Sequence, residues 1–353
     1  MEIASLVSGG VDSSVTIPLL KEQGFDPVIF YIKIGMEDEP GFTDCPSEED
    51  IEITTYIAHK YGCKLEIVDL QKDYWENVVS YTIESVKKGF TPNPDVMCNR
   101  LIKFGAFEDR FGHQFDKIST GHYARVIENE KGFFLGTAAD PVKDQTYFLG
   151  RITYPQLSKL MFPVGGLLKP EVRKIAMEMR LPSAHRPDSQ GICFLGKINY
   201  NDFIRRYTGE KEGKIVEFGT GRVLGKHKGF WFHTIGQRKG LGLSGGPWFV
   251  VKKDVNENIV YVSNGYDPEN QYADVILLAD FQSLHPNFQL RQGDPVRFKI
   301  RHQPEFNHAI LDIQPEHIAL HTESPIAGVA PGQFGVLYHP EEAYCLGSGI
   351  IAD

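Results

Sequence analysis

Apolar and polar positions divide this chain into two textures. The first begins with Glu2-Ile3-Ala4-Ser5-Leu6-Val7, a short apolar run that reads as a buried strand and breaks at Ser8-Gly9-Gly10. A helix is expected over Ser13 to Lys21, with Pro18 as an irregularity in its first turns. A second strand follows over Asp26 to Ile32, then a helix from Glu48 to Tyr61 closed by Gly62. Lys64 to Asp69 reads as a third strand and Tyr74 to Lys88 as a helix stopped by Gly89. A further helix is expected from Arg100 to Arg110, and Lys117 to Gly121 reads as another strand. Strands alternating with helices of this length predict an α/β fold with a doubly wound parallel sheet, whose ligands sit at the carboxyl ends of the strands. The Ser8–Val15 turn, Ile32 and Gly121-His122 therefore belong on one rim.

From about residue 210 helical periodicity fades. Short strands between Gly, Asn-Gly and Pro turns take over, as in Gly213 to Val216, Trp248 to Val251 and Ile259 to Gly265. The C-terminal stretch from Val275 to Ile351 reads as a small antiparallel β-barrel. The expected division is 1–205 for the α/β domain, 206–270 for a small linking domain and 271–353 for the barrel.

Length supports that division, since 353 residues exceed one ordinary core. The start has no basic-then-apolar signal and no 18-residue apolar run occurs, so a cytoplasmic protein without a membrane partner is expected. The five cysteines, at 45, 63, 98, 193 and 345, form no CxxC pair, which argues against a structural zinc site. The net charge of −9 hides a strong asymmetry. Residues 1–150 carry 14 Lys/Arg against 25 Asp/Glu, and residues 241–353 carry 6 against 14. Residues 151–240 carry 17 against 7, a concentrated positive field that suits a phosphate-rich partner.

The turn Ser8-Gly9-Gly10-Val11-Asp12-Ser13-Ser14 combines two glycines, hydroxyl donors and a helix N-terminus, the parts of an anion cradle. No Gly-Lys-Ser/Thr follows the glycines, so it is not a Walker loop. It has the Ser-Gly-Gly-x-Asp-Ser pattern of the PP-loop, found in enzymes that split ATP between the α and β phosphates.

Two cysteines stand in suggestive settings. Thr91-Pro92-Asn93-Pro94-Asp95-Val96-Met97-Cys98 reads as a rigid loop delivering Cys98 to the start of the Arg100 helix, where a thiolate is favoured and Asp95 is close enough to handle a proton. Taken alone, the segment also fits a turn with a buried cysteine and a capping aspartate. Cys193 lies between Gly191 and Gly196 after His185 and Arg186, again a setting that favours a thiolate, although Ile192, Phe194 and Leu195 would equally bury it. Cys63 and Cys345 read as packing residues, and Cys45 lies in an acidic loop.

These motifs, with Thr120-Gly121-His122-Tyr123-Ala124, Lys143-Asp144-Gln145-Thr146-Tyr147-Phe148-Leu149, Phe162-Pro163-Val164-Gly165, His233 to Gly242 and Pro331-Gly332-Gln333, occur in the order seen in one family. The chain resembles the tRNA-specific 2-thiouridylases from end to end. The resemblance implies ATP as co-substrate, Mg²⁺, and tRNAs for Lys, Glu and Gln whose wobble uridine exchanges its C2 oxygen for sulfur. Sulfur would arrive on a persulfide from a carrier protein, and nothing demands more than a monomer. Carried over by position, Leu6, Val7, Ser8, Gly9, Gly10, Val11, Asp12 and Ser13 would hold the phosphates, with Ile32 and Gly121 beside the adenine. Asn93, Pro94 and Asp95 would meet the target base. Cys98 matches the nucleophile, Cys193 the persulfide carrier, and Asp95 is a candidate acid/base. His122, Lys143, Asp144, Gln145, Arg301, His302 and Gln333 match tRNA contacts. The chain departs from the pattern at Ile32, where Met is common, and at Arg301-His302-Gln303, where Arg-Tyr-Arg-Gln is frequent. An alternative reading is a PP-loop nitrogen ligase, which would need no paired cysteines.

Overall fold

Strands that are apolar along their whole length need cover on both faces, and here they obtain it in a five-stranded sheet that is parallel throughout. The computed structural model describes residues 1–34, 47–188 and 199–353. Strand β1 (Ile3–Leu6) is central and fully buried, between β2 (Val28–Lys33) and β4 (Lys117–Thr120). Strand β3 (Leu65–Asp69) lies outside β2, and the two-residue β7 (Leu160–Met161) outside β4. Ala4 is in register with Val28 on one side and Ile118 on the other, so the loops after β1, β2 and β4 share the carboxyl rim.

Several helices start earlier than their sequence pattern suggests. Helix α1 runs over Val11–Glu22, not from Ser13, because Gly10 is its N-cap. It continues through Pro18, whose ring is buried. Helix α2 covers Ser47–Tyr61. The helix expected from Arg100 begins at Pro94, because Asn93 accepts a bond from the Val96 N–H at 3.3 Å and Pro94 occupies the first turn, where no N–H is needed. It runs on to Arg110 through a π-helical stretch, Asn99–Ala106. There Gln156 donates to the carbonyls of Arg100 (2.9 Å) and Phe104 (2.8 Å), so a side chain serves groups that the widened helix leaves over.

The linking region carries a four-stranded sheet of β8 (Gly213–Glu217), β9 (Val223–His227), β10 (Trp248–Asp254) and β11 (Ile259–Asn264). Its order is β10-β11-β8-β9, with β11 and β8 parallel, and its own core holds Ile215, Trp248, Val250 and Val262. The C-terminal strands are β12 (Tyr272–Ser283), β13 (Pro295–Lys299), β14 (Asn307–Ile313), β15 (His317–Ala327), β16 (Phe334–Tyr338) and β17 (Tyr344–Ile351). They form a six-stranded antiparallel barrel that closes through β12 and β17.

One connection has no signal in the hydrophobic pattern. The hairpin of β5 (Arg125–Asn129) and β6 (Gly132–Gly136) leaves the parallel sheet and joins the barrel, pairing Gly136 with Tyr344 and Leu135 with Cys345. Phe134 stacks on His285 with ring centroids 4.6 Å apart and lies 4.7 Å from Tyr344. Among the described residues, no helix is long and apolar enough to cross a membrane.

Candidate functional site

The Ser8–Ser13 turn is built from its own hydroxyls. The Ser8 N–H donates to Ser13 Oγ at 3.2 Å, and Ser13 and Ser14 donate their hydroxyls to the Gly10 carbonyl at 3.1 and 2.7 Å. No side chain caps α1 at Gly10, so the positive end of the helix faces the rim. Gly9 has a φ of +73°, and a Cβ there would stand 2.9 Å from the Asp50 Cα. Gly121 presses on the turn from β4, where a Cβ would meet the Ser13 nitrogen at 2.5 Å. Leu6, Val7, Val11 and Ser13 are buried, while Ser8 is exposed and Asp12 half-buried. Ile32 sits on the same rim, one residue before the end of β2.

Around this turn lies a cage of opposite charges. Lys169, at the start of the helix Lys169–Glu178, places Nζ 2.6 and 2.8 Å from the two Asp12 carboxylate oxygens and 2.9 Å from Asp188. The Tyr123 hydroxyl donates to Asp12 at 2.8 Å. Burial, then the Asp12 charge, raises the Tyr123 phenol above its ordinary pKa, so it remains a donor. Asp188 also receives Lys143 at 2.5 Å and Arg173 at 2.6 Å. Burial works against its ionisation, but the bonds from Lys143 and Lys169 hold its carboxyl at about 2. Arg186 donates to the Gly9 carbonyl at 3.1 Å and to Asp50 at 2.6 Å. Two cations of the basic middle segment, Lys169 and Arg186, thus contact the phosphate-type turn, and Arg173 braces them through Asp188 and the Arg186 carbonyl. Others, including Arg238 and Lys239, are exposed on the linking domain.

Cys98 ends the first α-helical segment, Pro94–Cys98, four residues after its start. Its side chain is fully buried, in one cluster with Val96, Ile102 and Phe104. The expectation that a loop delivers this thiol to the start of the Arg100 helix is corrected: the helix begins at Pro94, so Cys98 lies within it, buried as the alternative reading of the segment had it. Asp95 and Asn93 are half-buried on the same turn and Pro94 is buried. Cys193 lies outside the described residues, as does Cys45. Cys63 and Cys345 are packed as expected, and burial raises both thiols above their ordinary pKa.

The segment 143–148 connects the turn to the Cys98 helix. Lys143 binds Asp188, and Gln145 accepts from the Tyr123 N–H at 2.9 Å. Asp144 is buried, accepting from Thr146 at 2.8 Å and Lys299 of β13 at 3.0 Å. The Phe148 carbonyl accepts from Asn99, next to Cys98, at 3.1 Å. His302 contacts the Asp144 carbonyl at 3.0 Å and packs on Phe148. His122 shares a proton with Thr120 at 2.8 Å and lies against Phe104 and Phe162; burial, then Lys103, pushes its pKa well below the ordinary histidine range. Gln333 reaches the Cys98 loop from the barrel, 3.3 Å from Asn93. Arg301 points elsewhere: it donates to the Ala327 carbonyl at 2.6 Å and lines a cleft of about 410 Å³ with Gly236, Phe249 and Tyr266.

Sequence reasoning missed Lys169 and Tyr123 as partners of Asp12. Tyr123 stood inside a quoted motif, but nothing in its spacing gave it a role. For Lys169 the available signal was a lysine opening an amphipathic helix after the Phe162–Gly165 turn. Among the described residues no group of three or more His, Cys, Asp or Glu side chains could hold a metal ion.

Comparison with known proteins agrees with this arrangement. Residues 1–197 match the family model described as tRNA methyl transferase HUP domain. Residues 201–264 match the corresponding PRC-barrel domain, and 274–351 an aminomethyltransferase beta-barrel domain. The chain is 62% identical to a tRNA-specific 2-thiouridylase MnmA of Parabacteroides distasonis, over 100% of this chain and 99% of that protein. It is 59% identical to the protein of that name from Porphyromonas gingivalis, over 99% of each chain. With such identity along its whole length, and with a PP-loop turn on the rim of its parallel sheet, the chain belongs to the family of tRNA-specific 2-thiouridylases.

Proposed function

We propose that the protein thiolates the wobble uridine of tRNAs for Lys, Glu and Gln in two stages, working as a cytoplasmic monomer with domains 1–205, 206–270 and 271–353. The observation that carries the reading is the cage around Asp12: a phosphate-type turn held by Lys169 and Arg186, braced by Arg173 through Asp188, and tied through residues 143–148 to the helix bearing Cys98.

A C2 carbonyl has no leaving group that sulfur can displace. Transfer of AMP from ATP to that oxygen creates one and releases pyrophosphate. Residues Leu6 to Ser13 would hold the phosphates, and Ile32 and Gly121 would flank the adenine. The Ser8 hydroxyl and the end of α1 supply donors where charge accumulates, with Lys169 held beside them by Asp12 and Asp188. Asp12 is the carboxylate on the turn that would hold Mg²⁺ beside the triphosphate, exchanging a Lys169 contact for the ion, which would neutralise phosphate charge.

Sulfur then displaces AMP. Cys193 would carry the persulfide loaded by a donor protein. Its terminal sulfur either attacks C2 and expels AMP, after which the Cys98 thiolate attacks Cys193 Sγ and frees the 2-thiouridine, or is first released as sulfide by that thiolate and then displaces AMP from C2. Both routes leave a Cys98–Cys193 disulfide for an external thiol to reduce. Asn93, Pro94 and Asp95 would receive the flipped base, with Asp95 managing its proton. His122, Lys143, Gln145, Arg301 and His302 would form the tRNA-facing side, with Asp144 buried beneath it. The buried position of Cys98 means that tRNA entry must uncover it.

The test is mass spectrometry of nucleosides after mixing protein, ATP, Mg²⁺, unmodified tRNA and a persulfide source. 2-Thiouridine with one AMP per thiolation is expected. No 2-thiouridine would overturn the reading and favour a nitrogen ligase; undiminished 2-thiouridine from Cys98→Ser or Cys193→Ser would overturn the roles given to the two cysteines.

A further inference from the structure

The side-chain amide of Gln333 is fully engaged inside the protein. Asn93 caps its helix with Oδ1, which accepts the Val96 N–H, so its Nδ2 points outward and donates to Gln333 Oε1 at 3.3 Å. That fixes the Gln333 amide. With Oε1 accepting, Nε2 donates to the carbonyls of Thr91 at 3.1 Å and Pro92 at 3.0 Å. The flipped amide would set oxygen against two carbonyl oxygens and NH₂ against NH₂. The Tyr147 hydroxyl stands 3.2 Å from Oε1 and shares its single proton with the carbonyls of Ile300 and Phe334.

The main chain grips the same loop. The Thr91 N–H donates to the Pro331 carbonyl at 2.8 Å. Gly332, at φ +91°, comes so close that a Cβ would lie 2.7 Å from Phe90 and 3.0 Å from the Thr91 nitrogen. The clamp is anchored in turn on β17, since Gly332 N–H donates to the Ile351 carbonyl and Ile351 N–H to the Gln333 carbonyl. Pro92 and Pro94 have no N–H, so the loop cannot hold itself by a backbone ladder. Its shape is imposed from the barrel, across more than two hundred residues of sequence.

We propose that Gln333 is a positioning residue. It sets the conformation of Thr91 to Asp95, and through the Asn93 cap the start of the helix that carries Cys98. This inference rests on the thiolation reading for its consequence but not for its geometry. A residue acting by contact with tRNA would change affinity. One acting through the loop changes turnover and the loop's own stability.

Gln333→Leu removes every side-chain bond, whereas Gln333→Glu keeps an acceptor for Asn93 but loses both donors to the Thr91 and Pro92 carbonyls. Both variants should lower kcat for 2-thiouridine formation about a hundredfold, as expected when a reacting group is misplaced by an ångström or so. Their Kd for unmodified tRNA should stay within about twofold of wild type, well under the tenfold that 1.4 kcal/mol represents. Amide hydrogen exchange over 91–98 should quicken without tRNA, while exchange in β14 and β15 stays unchanged and shows that the barrel is intact. Unchanged exchange over 91–98, with tRNA affinity falling in step with turnover, would overturn the proposal and make Gln333 a tRNA contact. Should wild-type protein form no 2-thiouridine, the exchange measurement still decides the clamp, and only the proposed chemistry fails.

Discussion

Lys169 Nζ contacts both carboxylate oxygens of Asp12, at 2.6 and 2.8 Å, with its side chain only 10% exposed. The same ammonium holds Asp188, the last described residue before the segment containing Cys193. Replacing it strands two carboxylates beside a phosphate-type turn. Lys169→Met should weaken ATP binding at least about tenfold and lower stability by roughly 1–3 kcal/mol, less than a fully buried pair because the carboxylates are partly exposed. Lys169→Arg should recover part of the binding. Calorimetric titration with ATP checks this, and unaltered affinity in Lys169→Met would confine the lysine to a structural role.

Gly121 touches the phosphate-type turn through backbone alone. A methyl group there would stand 2.5 Å from the Ser13 nitrogen and 2.7 Å from the Asp12 carbonyl carbon, so the turn must move. Gly121→Ala should abolish measurable ATP binding while the protein stays folded. Gly166→Ala, with nothing within 4 Å of the added carbon, should bind ATP normally. Equal ATP titrations for the two variants would refute this account of the contact.

The Asp144–Lys299 pair joins the α/β domain to the barrel with side chains 3% and 1% exposed. Removing one partner leaves the other buried and charged. Asp144→Asn should cost about 3–5 kcal/mol, while Asp144→Asn combined with Lys299→Met should recover much of it. Denaturant unfolding of these two variants and of Lys299→Met alone supplies the comparison. Additive losses would show that the pair is not coupled.

The linking domain should weaken in mild acid. Burial, then His227 and Lys253, lowers the His233 pKa to about 4. Since the unfolded chain binds this proton at about 6.5, stability is complete above that pH and declines as pH falls towards 4, by up to about 3 kcal/mol. Burial lowers His227 in the same direction. Trp231 and Trp248 lie in this domain's core region, so fluorescence-detected urea midpoints at pH 7.5 and 4.5 report on it. His233→Leu should flatten the dependence, and an unchanged slope would point to other groups.

The parallel sheet and the barrel were readable because their strands carry strong local signals: continuous apolar runs in one, short alternating strands with glycine turns in the other. The rim placement of Ser8–Ser13, Ile32 and Gly121 follows from the alternation alone. Cys98 was misplaced because the pair of prolines reads as an extended loop, whereas Asn93 and Pro94 together start a helix. The partners of Asp12 were invisible for another reason. Lys169 and Tyr123 reach it across 157 and 111 residues, a distance over which periodicity carries no information. The two bonds from Gln333 to the Thr91 and Pro92 carbonyls likewise exist only in the folded chain.

The β5–β6 hairpin has a consequence for how the molecule is made. A ribosome delivers residues 125–136 long before 344–351, yet the edge of β6 finds its partner only in β17. Until that final strand emerges, the barrel is open and the hairpin's inner edge is bare. Both gaps close in one event. Cys98, whose loop is held by residues next to β17, therefore gains its fixed surroundings only once β17 has been made, so a nascent fragment can carry the complete Ser8–Ser13 turn before the Cys98 loop is clamped.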